Sequence, residues 1–211
     1  DTILKAQNAD GGWAWAGSPS SVDITAMAIS ALAPYKTQSN VQSAITKAVH
    51  WLSAKQDENG GFQDEFNGGD TSESTAQVIA ALSAAGIDPA GSEFTKAKGN
   101  PISHLLKFQR PDGGFSHVSG DASSPMSTNQ AVFGLVSYQR FLKGAGSVFQ
   151  FAHDAGALKK ASGAVNGAPS HEGEGRPLPD TAGSAYDWLV AGACLLALGA
   201  LILFGFKRRR Q

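Results

Sequence analysis

The chain has 211 residues, of which 42% are hydrophobic and 17% charged, and its formal net charge is −1. Without the four basic residues of the C-terminal tail and Asp187, the totals of 17 basic and 18 acidic residues become 13 and 17, so the remainder has no electrostatic footprint for nucleic acid. The only cysteine, Cys194, lies in a long apolar run, which excludes disulfides and thiolate chemistry elsewhere. The five histidines show no short ligand spacing, and no metal site is predicted.

The first feature along the chain is a signature that recurs three times, over residues 7–13, 56–62 and 109–115. It consists of a glutamine, a short polar spacer, two glycines and an aromatic residue, at a period typical of repeat architectures. We predict that the glycines form a tight turn, that the aromatic rings pack between repeats and that the glutamines hydrogen-bond a neighbouring helix end. These structural residues are Gln7, Gly11, Gly12, Trp13, Gln56, Gly60, Gly61, Phe62, Gln109, Gly113, Gly114 and Phe115.

Each signature lies between two predicted helices. The helix before it is clearest over residues 41–52, where apolar residues recur at the spacing of one helical face. The helix after it is Ala-rich and follows a polar loop that ends in Ser or Thr, a residue that can cap free backbone N–H groups. We predict an N-cap at Ser124 with Pro125 in the first turn, and a helix end at Gly86. No strand is predicted because no apolar run alternates.

The repeated signature resembles that of the prenyltransferase and squalene cyclase superfamily, whose helical hairpins close into an α/α toroid. The helices after each signature resemble more closely those of secreted bacterial members related to the α/α domain of transcobalamin and intrinsic factor. The resemblance covers residues 1–153 and implies an all-α fold that forms an incomplete part of the ring. We therefore expect the C-terminal part of a longer precursor, with an exposed apolar edge near Ile3 and Leu4.

In such toroids the inner helices begin toward the mouth of a cavity, so polar residues at equivalent helix starts are predicted to contact a ligand. Helix capping is the alternative explanation for most of them, whereas Gln77 and Gln130 lie beyond the caps at one register. The predicted ligand contacts are Asp23, Thr25, Glu73, Thr75, Gln77, Thr128 and Gln130.

The sequence lacks the motifs that characterise the two enzymatic branches of the superfamily. The prenyltransferase zinc site implies an Asp-x-Cys ligand pair, which this sequence lacks. The squalene cyclases imply an acidic Asp-x-Asp-Asp motif, and the nearest carboxylates, Asp64 with Glu65 and Asp70 with Glu73, do not have that spacing. No catalytic residue is predicted, because no nucleophile with its base and no suitably spaced carboxylate pair is present.

Residues 154–211 are predicted to anchor an exported protein. Residues 154–180 form a predicted Ala-, Gly-, Ser- and Pro-rich linker, residues 186–206 an apolar helix long enough to span a bilayer, and residues 207–211 a basic cytoplasmic tail. Residues 178–183 resemble the cell-wall sorting signal that sortases process in Gram-positive bacteria, although alanine occupies the usual glycine position. The alternative is a permanent single-pass anchor; both place the repeats outside the cell. The motif residues are Leu178, Pro179, Asp180, Thr181 and Ala182.

These features favour a surface-displayed module that binds an extracytoplasmic small molecule, such as a corrinoid or another amphiphile. A cobalamin-like ligand is the one cofactor the resemblance suggests, although the β domain that usually clamps it does not follow the repeats. The expected partners are a sortase, peptidoglycan and, before processing, the membrane. Two alternatives stay open: a terpene cyclase or prenyltransferase-like enzyme with catalytic residues in upstream repeats, and a wall-anchored adhesion or spacer domain.

Overall fold

The computed structural model of the chain describes residues 2–17 and 19–149. All the described residues belong to one compact unit. The predicted linker, sorting motif, apolar helix and basic tail all lie outside the described residues. Within 2–17 and 19–149, no helix combines the length and the hydropathy that a membrane span requires.

Six α-helices make up the described unit, and short 3-10 turns extend or connect several of them. The helices are α1 (Thr2–Lys5), α2 (Val22–Leu32), α3 (Ser39–Lys55), α4 (Ser72–Ala85), α5 (Pro101–Leu105) and α6 (Pro125–Leu142). The 3-10 turns are Ala33–Tyr35, Glu65–Asn67, Ser92–Phe94 and Leu106–Phe108. The predicted helical architecture is confirmed, although α5 with its 3-10 extension is far shorter than α3.

Helices α2, α4 and α6 form one layer, with α4 in the middle and in contact with both of the others. Helix α3 packs against α2, and α5 packs against α4. The contact between α4 and α6 is close because small residues meet there: a Cβ added to Gly134 would lie 2.9 Å from the carbonyl oxygen of Ala76. Helices α2, α4 and α6, called the inner helices below, therefore stand side by side in that order.

Two short strand pairs correct the expectation that the chain has no strands. Strand β1 (Gln63–Asp64) pairs with β2 (Gly69–Asp70), and β3 (Phe115–Ser116) pairs with β4 (Ser123–Ser124), both antiparallel. They form because the loop after each signature aromatic returns to start the next inner helix beside it. Two residues are too few to produce an alternating pattern in the sequence.

The starts of the inner helices are capped as the sequence predicts. Ser21, Thr71 and Ser124 are the N-caps of α2, α4 and α6, and each side chain accepts a hydrogen bond from the backbone N–H three residues later. Pro125 occupies the first turn of α6, and Gly86 ends α4 in the left-handed conformation with φ of 85°. These predictions are confirmed.

The signature glutamines bind carbonyl oxygens, in two of the three copies. The Nε2 groups of Gln7 and Gln56 each donate to the turn of their own copy and to a neighbouring element. The acceptors are the carbonyl oxygens of Gly11 and Ala44 for Gln7, at 2.8 and 2.9 Å, and of Gly60 and Phe94 for Gln56, at 3.0 and 2.8 Å. Gln109 is exposed and its amide makes no hydrogen bond within the described part of the chain.

The two outer edges of the unit expose positions that are buried in the middle. Ile3 is 37% exposed, whereas Leu52, at the equivalent position of the second copy, is 0% exposed. Val132 of α6 is 46% exposed, whereas Ile79 of α4 is 0% exposed. Leu4 is half-buried against the core. The apolar edge expected near Ile3 is therefore present, because in the interior the next copy covers these positions.

A buried hydrogen bond to a threonine hydroxyl joins the first signature to α2, and its loss should lower the stability of the fold measurably. The Trp13 backbone N–H donates to Thr25 Oγ1 at 2.9 Å, and both residues are buried. The change Thr25→Val keeps the side-chain shape but leaves that N–H without an acceptor, which should lower the free energy of unfolding by about 1.5 kcal/mol. Urea unfolding followed by circular dichroism measures it.

The matched control is Thr75→Val in α4. Thr75 is equally buried, but its hydroxyl has no hydrogen-bond partner among the described residues. Replacing this hydroxyl with a methyl group should leave the free energy of unfolding unchanged or raise it slightly. Equal losses in the two variants would show that the hydroxyl of Thr25 is not the cause.

Candidate functional site

A cavity of about 500 Å³ opens on the surface shared by the three inner helices. This volume lies within the range of small-molecule sites, which are mostly apolar with a few polar groups. None of the described side chains that line it is charged. Its main lining residues are Met27, Tyr35, Gln77, Gln130, Phe133 and Phe149.

Two of the predicted ligand contacts, Gln77 and Gln130, lie in this cavity. They occupy the same register on α4 and α6, and Met27 occupies that register on α2. Both glutamines are half-buried, and neither amide makes a hydrogen bond to any described residue. Their contact with a ligand stays a prediction, but the structure leaves both amides free for one.

The predicted threonines serve the helix starts and do not line the cavity. Thr25 and Thr75 are 0% exposed. The hydroxyls of Thr25 and Thr128 accept hydrogen bonds from the backbone N–H groups of Trp13 and Phe115, both at 2.9 Å. This contact is the same in the first and third copies, so the repeated threonine joins the signature turn to the inner helix.

Glu73 lies in the first turn of α4 and joins the second copy to the third. The carboxylate is 3% exposed. It accepts a hydrogen bond from Ser127 Oγ at 2.6 Å and one from Ser72 Oγ at 3.2 Å. Its Oε2 also lies 2.9 Å from Nδ1 of His117. The His117 side chain is 44% exposed while its ring binds this buried carboxylate.

Asp64 forms the corresponding junction between the first and second copies. Its Oδ2 accepts hydrogen bonds from Ser21 Oγ at 2.6 Å and from the backbone N–H of Asp23 at 3.2 Å. Asp64 and His117 each follow their signature aromatic by two residues, and each reaches the helix start of the preceding copy. That shared offset is the signal by which the sequence could have identified both contacts.

The carboxyl group of Asp23 has a perturbed pKa. Burial raises this pKa from 3.8 to about 6, the negative charges of Asp64 and Glu73 add to the rise, and a hydrogen bond from Ser74 opposes it. Its Oδ1 is buried and has no partner among the described residues. The sequence named Asp23 as a ligand contact, but its grouping with Asp64 and Glu73 was missed because only carboxylates close together in the chain were weighed, and these three come from separate elements.

The change Asp23→Asn should alter the pH dependence of stability. The folded pKa of about 6 lies above the unfolded value of 3.8, so the folded state binds the proton more tightly. This contribution is full below about pH 4 and is lost as the pH rises through about 6. Allowing for solvent screening of a half-buried group, Asp23→Asn should be about 1.5 kcal/mol more stable than the natural protein at neutral pH.

Urea unfolding at a series of pH values from about 4 to about 7 measures this difference, and the two proteins should converge at the acidic end. The control is Glu58→Gln, a change of an exposed carboxylate on the second signature turn, which should leave the pH profile unaltered. Parallel profiles for Asp23→Asn and the natural protein would contradict the raised pKa of Asp23.

No group of three or more His, Cys, Asp and Glu side chains that could hold a metal ion occurs within residues 2–17 and 19–149.

A family model and two curated proteins match this chain. The model of the prenyltransferase alpha-alpha toroid domain matches residues 1–70 and 70–155. A drimenyl diphosphate synthase of Streptantibioticus cattleyicolor is 30% identical over 139 residues, which cover 63% of this chain and 25% of that protein. A drimenyl diphosphate synthase of Streptomyces showdoensis is 27% identical over 183 residues, covering 86% of this chain and 32% of that protein. The chain thus matches about a quarter to a third of the length of these curated relatives.

Proposed function

Because the chain belongs to the prenyltransferase alpha-alpha toroid domain family, we propose that it forms part of an enzyme that cyclises an isoprenoid substrate. The observation that carries this proposal is the similarity of its repeats to two drimenyl diphosphate synthases. Those findings favour the terpene cyclase alternative over the surface ligand-binding hypothesis that the sequence alone suggests.

The shape and lining of the cavity support this proposal. Its volume of about 500 Å³ and its apolar lining suit a folded hydrocarbon chain. Three aromatic residues, Tyr35, Phe133 and Phe149, line it. Aromatic faces attract cations, and a cyclisation that passes through carbocations gains from such faces.

Asp23 is the candidate proton donor. Asp23 does not itself line the cavity but lies one helical turn before Met27, which does, and burial raises its pKa to about 6, so that about half of its carboxyl groups are protonated at that pH. In the proposed step the proton adds to one carbon of a carbon–carbon double bond. The electron pair of the O–H bond stays on the carboxylate, and a carbocation forms on the neighbouring carbon.

The test uses the polypeptide expressed from its natural gene. It is incubated with linear isoprenyl diphosphates and linear isoprenoid hydrocarbons, and cyclic products are analysed by gas chromatography and mass spectrometry. Asp23→Asn should lower turnover by about 10²-fold, while Glu58→Gln, at an exposed position, should not. An absence of cyclic products from every substrate would overturn the cyclase proposal, and full turnover by Asp23→Asn would remove Asp23 from the mechanism.

A second candidate function, capture of a small ligand without turnover, is favoured by the two free amides in the cavity. Titration of the protein with cobalamin, followed by its absorbance, tests the corrinoid version.

The proposed wall display is a separate claim. It predicts that the chain recovered from peptidoglycan ends at Thr181 within the motif of residues 178–183, which mass spectrometry of wall digests measures; recovery of the intact C-terminus in the membrane fraction would favour the permanent anchor.

A further inference from the structure

We infer that the cavity takes an isoprenoid whose polar group is uncharged, an alcohol or a carbonyl, held between the amides of Gln77 and Gln130. The isoprenoid part of this inference rests on the proposed function; the uncharged polar group rests on the cavity itself. The two relatives are named diphosphate synthases, whereas the ligand inferred for this cavity has an uncharged polar group.

The first argument is the hydrogen bonding of the glutamines. The signature residues Gln7 and Gln56 each satisfy their Nε2 with two carbonyl oxygens. Gln77 and Gln130 are half-buried in a mostly apolar cavity, yet neither binds any described residue. Solvent still reaches both amides, and an amide without a protein partner can exchange its water for a ligand hydroxyl or carbonyl at little cost, so two such amides at one register are available to a ligand that binds both.

The second argument is charge. A diphosphate is commonly bound by Lys, Arg or a metal ion, and no charged side chain of residues 2–17 and 19–149 lines the cavity. Glu73 lies one helical turn before Gln77, and Asp23, which carries its charge above a pH of about 6, lies one turn before Met27, so at neutral pH the start of these helices is acidic. An anion placed there would be repelled.

The nearest cation along the chain from the lining residues is Lys36, which follows Tyr35. Its ammonium group donates to the carbonyl oxygen of Ala85 at 2.8 Å, the last residue of α4. A cation at the C-terminus of a helix is held there by the helix dipole. Lys36 is therefore already engaged in the structure, at the end of α4 opposite to Glu73.

The third argument is the makeup of the lining. Apolar side chains come from both sides, Met27 of α2 and Phe133 of α6 among them, and the polar groups are few: the hydroxyls of Ser30 and Tyr35 and the two amides. A ligand with a mostly apolar body and one polar end fits this makeup. Because an amide both donates and accepts hydrogen bonds, it serves a hydroxyl and a carbonyl equally.

The test measures the binding of three probes that share one hydrocarbon skeleton. Radiolabelled farnesol is equilibrated by dialysis with the natural full-length protein, and farnesyl diphosphate and farnesene compete with it. Two neutral hydrogen bonds should make farnesol bind about tenfold more tightly than farnesene, and farnesyl diphosphate should compete no better than farnesene. Competition by the diphosphate at or below the concentration of farnesol would overturn the inference.

The variants separate the amides from the fold. In the double variant Gln77→Leu with Gln130→Leu, affinity for farnesol should fall about tenfold and affinity for farnesene should be unchanged, which also shows that the cavity is intact. Gln139→Leu is the matched control, since Gln139 is an exposed glutamine of α6 outside the cavity lining, and it should behave as the natural protein. Undiminished farnesol binding by the double variant would overturn the inference.

The outcomes distinguish the two proposals. If farnesol binding depends on both glutamines but no substrate yields a cyclic product, the proposed enzyme function fails and the inference about the polar group stands. If a diphosphate is bound tightly and cyclised, the inference fails and the enzyme function stands.

Discussion

The change Phe62→Ala is expected to lower the free energy of unfolding by about 4 kcal/mol. Phe62 is 0% exposed and belongs to the larger of the two core clusters, together with Trp13, Ile29 and Leu52. Truncation removes the buried ring and leaves a cavity where the second signature meets the helices of the first copy. Urea unfolding of the natural chain and the variant, followed by circular dichroism, gives the difference.

The control for this prediction is Trp15→Ala. Trp15 is also a large aromatic residue. It lies two positions after the signature residue Trp13, but it is 84% exposed. Its removal should change the free energy of unfolding by no more than about 0.5 kcal/mol. A loss of less than about 2 kcal/mol for Phe62→Ala would mean that the ring does not hold neighbouring copies together.

The change Gly60→Ala is expected to cost about 3 kcal/mol, because two penalties act together. The backbone of Gly60 has φ of +91°, a conformation that disfavours a side chain. An added Cβ would also lie 2.6 Å from the backbone nitrogen and oxygen of Asn100. Asn100 is the N-cap of α5, so the start of that helix would have to move. The midpoint and slope of urea unfolding measure the cost.

Gly113→Ala supplies the control at the same position of the third copy. Gly113 has a similar φ of +85°, but nothing lies within 4 Å of an added Cβ. Only the conformational penalty remains, and the expected cost is about 1 kcal/mol. If Gly60→Ala and Gly113→Ala lowered the free energy of unfolding equally, the close approach of Gly60 to Asn100 would not contribute to the cost.

These two predictions concern the frame that carries the cavity. Helix α4 lies between α2 and α6 and carries Gln77, so a loosened second signature would displace the middle of the cavity lining. Loss of ligand binding in Phe62→Ala or Gly60→Ala would therefore report a disturbed frame, whereas Gln77→Leu reports the amide itself. The two kinds of variant need separate interpretation.

Much of the local structure could be predicted from the sequence. The N-caps Ser21, Thr71 and Ser124, and the left-handed Gly86, follow from residue preferences that act over a few positions. The short strands could not be predicted, because β1 with β2 and β3 with β4 arise from the path of a returning loop and not from strand-forming sequence.

The candidate site divides in the same way. The repeat alignment placed Gln77 and Gln130 at one register beyond the helix caps, but it also named Thr25 and Thr75 as ligand contacts, which the fold uses as buried parts of the helix starts. Free amides and engaged hydroxyls differ only in what surrounds them. Sequence spacing carries no information on that difference.

The sequence by itself determined the repeat, its turns and its helix starts, because these depend on backbone conformation and on hydrogen bonds between residues close in the chain. Only the tertiary structure decided that Asp64 and Glu73 join neighbouring copies, that burial, with a smaller contribution from these two charges, raises the pKa of Asp23, and that two glutamine amides share one cavity. Electrostatic and packing energies depend on distance in space, and residues about 50 positions apart come within that distance only when the helices stack.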